Sequence, residues 1–294
     1  MKTQPKAGLF LAVLATFSVL ATSEIRGSAQ QTPVHLNMLP AGTIESRLRH
    51  FSRNNAEREA ILKAMFAEAG CAGEELIEQP VKHEKIPNVI CILPGASSSE
   101  IIVSAHLDHV SRGDGVVDNW SGASLLPSLF QSLVGAARKY TFVFIGFTQE
   151  EEGLIGSAFY VKSLTPEQAA KIGAAINIDS VGLGPTKVWL SHSDKQLATT
   201  LSGIANSMHL SFGFVNADKV GDDDSSSFRA RKIPTLMIHS ITEDTLPILH
   251  TDRDQMNAIK LSDDYDTYRL LAVYLAYLDT NLDENKPPST QPSN

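Results

Sequence analysis

The sequence predicts an α/β fold: a mixed, mostly parallel central β-sheet sandwiched between helices, in a single domain. Three observations carry this. Short apolar runs at residues 101–103, 141–147, 174–178 and 235–239 have the β-branched and aromatic content of buried strands. Stretches with apolar residues three and four apart lie between them, so strands and helices alternate. No internal repeat or linker interrupts residues 35–282, and 294 residues with 43% hydrophobic side chains suffice for one core of ordinary size.

Taken in order, residues 1–29 place Lys2 and Lys6 before an uncharged run at 7–21, the layout of a secretory signal peptide. The run is short for a membrane span. Small residues at Ala21 and Ser23, or at Gly27 and Ala29, offer two cleavage points, and no Cys follows the run as a lipoprotein would need. The expectation is a secreted or periplasmic protein with no stable membrane association after cleavage. Residues 44–69 have helical spacing (Ile44, Leu48, Phe51, then Ile61, Leu62, Met65, Phe66) with a break at 52–55, and Gly70 is a fitting stop. Residues 75–81 and 88–93 read as an antiparallel pair, with a Pro94-Gly95 turn before the next strand. Helices are expected at 121–138, 153–164, 196–208 and 262–278. Thr165, Pro166 and Gln168 form a capping box for a short helix through Ile172. The Pro- and Ser-rich tail, 283–294, is expected to be disordered.

Cys71 and Cys91 both fall after the leader. In an oxidising compartment they could form a disulfide, and otherwise they are small buried apolar side chains. The formal net charge of -8 and the lack of a basic cluster weigh against nucleic-acid binding. No Gly-x-Ser-x-Gly elbow is present, and Pro87 stands where a His-Glu-x-x-His motif begun at His83 would need its second imidazole.

Chemistry-bearing residues gather where strands end. His106 and Asp108 follow the first parallel run, Asp118-Asn119 comes next, Glu150, Glu151 and Glu152 follow the second, Asp179 the third, and His250 comes after the fourth. Ligands in open α/β sheets bind beyond those carboxyl ends. Two imidazoles and three carboxylates suffice for two zinc ions. His50, His83, His109, His192, His209 and His239 lack such company and are expected to be structural, Glu152 to face water, and Trp120 either to line a pocket or to pack.

The ordered set of His-x-Asp, Asp-Asn with Ser-Gly, Glu-Glu-x-Gly-Leu, Asn-x-Asp and late His-Thr resembles the M28 family of zinc aminopeptidases across nearly the whole mature chain. The resemblance implies a zinc-dependent exopeptidase fold and two zinc ions per chain. His106 and Asp179 would bind one, Glu151 and His250 the other, and Asp118 both. It further implies Glu150 as general base and acid, Asp108 as the carboxylate orienting His106, and a cis peptide between Asp118 and Asn119. Asn119 and Asp224 are the candidate substrate contacts. The pattern departs from relatives at Ser225, which replaces a His, and at Val220 and Leu249, where some members carry a Tyr. The implied partners are peptides with a free N-terminus. Three alternatives remain: a glutaminyl cyclase on the same fold, a carboxypeptidase or dipeptidase using Arg229 or Arg231, and an inactive binding module. Oligomeric state is not legible in the sequence.

Overall fold

The computed structural model describes residues 36–217 and 221–282, over which eight strands form one sheet. They are β1 (Leu76–Gln79), β2 (Asn88–Leu93), β3 (Glu100–His106), β4 (Thr141–Phe147), β5 (Ile172–Ile178), β6 (Thr186–Val188), β7 (Phe212–Phe214) and β8 (Thr235–His239). Their order is β1-β2-β4-β3-β5-β8-β6-β7. The central four, β4-β3-β5-β8, are mutually parallel, while β1, β2 and β6 join by antiparallel pairing. The expected leader and tail lie outside the described residues.

The central strands are apolar throughout because helices cover both faces. Alternate side chains enter opposite cores: Ile101, Val103, Phe142, Phe144, Ala174 and Ile176 enter one, and Ile102, Val143, Ile145 and Ala175 the other. The first core is closed by α1 (Ala41–Arg49), α2 (Asn55–Glu68), α3 (Ser121–Leu133), α6 (Lys195–Ser207) and α8 (Leu261–Asn281). The second lies under α4 (Ile155–Ser163), α5 (Pro166–Lys171) and α7 (Ser225–Arg229).

Local signals explain most boundaries. Asn54 caps α2 by accepting from the backbone of Ala56 and Glu57, which accounts for the break in the first helical stretch. Thr165 and Gln168 form the capping box of α5. Helix α3 stops at Leu133, five residues before the expected end at Arg138, because Val134 turns extended and Gly135 takes φ +81°. Almost every α3 residue is buried, so the Leu stripe in its sequence is only part of its packing surface. The short strands β6 and β7 were not expected from the sequence.

Cys71, just beyond α2, is joined to Cys91 on β2 in a disulfide with Cα atoms 6.2 Å apart. This resolves the two sequence readings in favour of the bond. The link closes a separation of 20 residues, for which chain entropy gives roughly 3 kcal/mol of stabilisation.

Candidate metal centre

The parallel strands deliver polar groups to one end of the sheet. His106 is the last residue of β3, Glu150 and Glu151 follow β4, Asp179 follows β5, and His250 sits on the loop after β8. Neighbours β4 and β5 flank β3 although the chain visits β3 first, so this is the point where strand order reverses. Asp118 arrives from the turn Val116–Trp120, which leads into α3. The Asp118-Asn119 peptide is cis. Gln149, Ser180 and His250 all have φ near +55° (56°, 55° and 56°), and Leu154 has 60°. A left-handed backbone costs a non-glycine residue about 1–2 kcal/mol, and clusters of such residues mark sites where the surrounding fold imposes direction on side chains.

Asp118 is the hub. Its Oδ1 lies 3.2 Å from His106 Nε2, and its Oδ2 lies 3.1 Å from His250 Nε2. On the first side, Asp179 Oδ1 is 3.6 Å from His106 Nε2; on the second, Glu151 Oε2 is 2.9 Å from His250 Nε2. Each oxygen of one carboxylate thus faces an imidazole that a second carboxylate also approaches. The five residues expected to hold metal are brought together in this arrangement.

The electrostatics of the group fit a cation. Burial opposes a charge on His106, yet Glu150 and Asp179 hold its imidazole well above the ordinary value. Hydrogen bonds donated to Asp118 and Glu151 lift His250 to about 10. Burial alone would raise the Asp118 carboxyl, but the two imidazoles outweigh it and hold the group below the usual range. Burial pushes Glu151 and Asp179 up, and Glu151 Oε1 is buried without a hydrogen-bond partner. Positive charge is therefore demanded twice, by donors of the nitrogen and oxygen type that suit zinc.

Glu150 borders the first pair: its Oε2 is 4.0 Å from His106 Nε2, and with His106 and Asp179 it forms a group close enough to face one cation. Burial raises its carboxyl to about 10. Asp108 meets His106 with both its backbone and its side chain. The atom that meets His106 Nδ1 is the Asp108 backbone carbonyl at 3.1 Å, while its carboxylate is 3.7 Å away. That carboxylate also accepts from the backbone N–H groups of Glu150 (3.1 Å) and Glu151 (3.3 Å), so Asp108 orients both glutamates as well.

Neither expected substrate contact is exposed to solvent. Asn119 is 0% exposed. Its Nδ2 donates to Ile178 O, and its Oδ1 accepts from Gly122 N and Ser180 N, so its amide is committed to tying α3 to the end of β5. Gly122 is needed there because a Cβ would come 2.4 Å from Ile178 O. Asp224 is also 0% exposed, and burial raises its carboxyl to about 7. From the acidic triplet it is Asp222 and Asp223 that reach the cavity.

That cavity, of about 340 Å³, lies over Asp118, Glu150, Glu151, Asp179 and His250. Its apolar wall is Leu154, Trp189, Met237, Ile241 and Leu249, and among the described residues no Lys or Arg lines it. Of this wall, Leu154 entered the sequence reading as the end of the Glu-Glu-x-Gly-Leu motif and Leu249 as a departure. Arg229 is engaged by Asp222, and Arg231 by the carbonyls of Val161 and Leu164. His192 stacks on Trp189 at 3.7 Å and bonds Asp223 at 2.6 Å, while Asp223 also accepts from Asn177 and Ser225. This braces the aromatic wall. His109 and His239 bond to backbone carbonyls of Arg53 and Val215. Trp120 is fully buried beneath Arg58, Glu152 is exposed, and Val220 lies outside the described residues.

Comparison with known proteins agrees with this geometry. The signature of peptidase family M28 matches residues 88–275. An aminopeptidase of Pseudomonas aeruginosa is 38% identical over 88 residues, which is 30% of this chain and 16% of that protein. The chain thus matches less than a fifth of this curated relative's length. Among solved structures, the Legionella pneumophila LapA aminopeptidase superposes with TM-score 0.73 at 20% identity, covering 82% of this chain and 71% of LapA. A glutaminyl cyclase from an Acidobacteriales bacterium superposes with TM-score 0.66 at 17% identity, covering 86% of this chain and 98% of the cyclase. At these identities both structures speak to the fold alone.

Proposed function

Because the chain belongs to peptidase family M28, we propose that it is an exported di-zinc aminopeptidase that removes N-terminal residues from peptides. The observation that carries this reading is the division of Asp118 between two imidazole–carboxylate pairs. His106, Asp179 and one Asp118 oxygen would hold one zinc, and Glu151, His250 and the other oxygen the second. When bound, a zinc pair supplies Lewis acidity that polarises a carbonyl and acidifies water.

The chain's own residues do the rest. Burial alone would keep Glu150 protonated, and cations beside it would favour its ionised form; oriented through its backbone by Asp108, that carboxylate takes a proton from the attacking water and passes it to the leaving amine. The acidic end of the cavity receives the free amine of the substrate, and the apolar wall receives its first side chain. The carboxylates that line the cavity, Asp222 and Asp223 among them, favour an amine over a carboxylate. Export is supported by the layout of residues 1–29 and by the Cys71–Cys91 disulfide, which belongs in an oxidising compartment. No helix among the described residues is long and apolar enough to cross a membrane.

A glutaminyl cyclase is the second reading, favoured by the near-complete coverage of the bacterial cyclase. Having both His106 and Asp179 beside Asp118 weighs towards two metals and hydrolysis. Assay of the purified protein on aminoacyl-p-nitroanilides and on peptides with N-terminal Gln separates the two. Chromophore release that disappears with chelator and returns with zinc is the expected result. Ammonia loss from Gln peptides, with no peptide-bond cleavage, would replace this reading by the cyclase.

A further inference from the structure

We infer that Asp254 is a positioning residue for both metal positions, locking the turn that carries His250 to the backbone of Asp118. The inference rests on the two-metal reading above. Asp254 is 2% exposed and is not itself among the residues that line the cavity. Oδ1 accepts from Val117 N at 2.7 Å, and Oδ2 accepts from Asp118 N at 3.1 Å. Its backbone carbonyl accepts from Asp114 N at 2.7 Å, and its own N–H donates to Thr251 O at 3.0 Å, closing the turn that begins at His250.

The two segments touch backbone to backbone. Gly113 has φ +75°, and a Cβ there would lie 2.5 Å from Thr251 O and 3.0 Å from Asp254 O. On the other side of the bridging turn, the fully buried Arg58 of α2 donates to Gly115 O and lies 5.2 Å above the Trp120 ring. The segment bearing Asp118 is gripped by a carboxylate at its N–H groups and a guanidinium at a carbonyl. Such charge-assisted bonds are about twice as strong as neutral ones. Two ligands far apart in sequence are therefore held in one frame, so their spacing is set before any cation arrives.

Outer hydrogen-bond partners of metal ligands commonly contribute about 10–100-fold in affinity. Asp254→Asn keeps the shape but turns an amide NH₂ towards one of the two backbone donors. Competition titration of the metal-free full chain with a chromophoric zinc chelator is expected to give affinity lower by about 10–100-fold for Asp254→Asn, with an unchanged far-ultraviolet circular dichroism spectrum. A purely structural role would lower the unfolding midpoint and leave zinc affinity of the folded protein alone. The metal-free wild type gives a second test by hydrogen exchange. The Val117 and Asp118 amides are expected to be protected before zinc is added; rapid exchange that zinc alone suppresses would overturn the inference, whether or not the variant folds. Wild-type zinc affinity in Asp254→Asn would also overturn it, leaving the two-metal reading intact. Failure of the wild type itself to bind zinc would instead remove that reading and the inference with it.

Discussion

Replacing Glu150 with Gln is expected to lower turnover by roughly a hundredfold or more while leaving the zinc content unchanged. Gln keeps the length of the side chain, and its backbone N–H still donates to Asp108 Oδ1. What it loses is the ability to accept a proton from water and return it to an amine. The two imidazole–carboxylate pairs around Asp118 are complete without Glu150, and a Gln amide oxygen can still face the cation side, so zinc content is expected to hold. Kinetics on the preferred aminoacyl-p-nitroanilide, with zinc measured on the same samples, check both halves. Near-normal turnover in the variant would show that the proton is carried by another group.

Asp118→Ala has the opposite signature: the metal goes first and activity follows. Its two oxygens approach His106 and His250 at 3.2 and 3.1 Å, one in each half of the centre. Without them, each side keeps one imidazole and one carboxylate, two protein ligands where a catalytic zinc ordinarily has three. Native mass spectrometry is expected to find at most one zinc in Asp118→Ala and two in the wild type, with hydrolysis below detection. Two zincs retained by the variant would refute the bridging role.

How much of this was legible depends on where the information resides. The parallel strands were readable because both faces are buried, which makes each a continuous apolar run. The polar residues at their ends were readable because strand ends in such sheets form ligand sites. Strands β6 and β7 were not, since three residues each are too short for any periodicity and pair only because β8 supplies an edge. Polar residues next to ligands were harder still. Asn119 and Asp224 have the side chains of substrate contacts, but one is spent on backbone groups and the other is sealed in the interior. Among Asp222, Asp223 and Asp224, no local signal marks which carboxyl faces the cavity. Asp254 and Arg58 escaped notice for the same reason: their partners are backbone atoms of a turn distant in sequence.

Anomalous diffraction at the zinc edge, from crystals of the zinc-loaded protein, tests the central claim most directly. The expected map has two peaks, one between His106 and Asp179 and one between Glu151 and His250, both in contact with Asp118. A single peak, or two peaks of which only one touches Asp118, would contradict the shared centre.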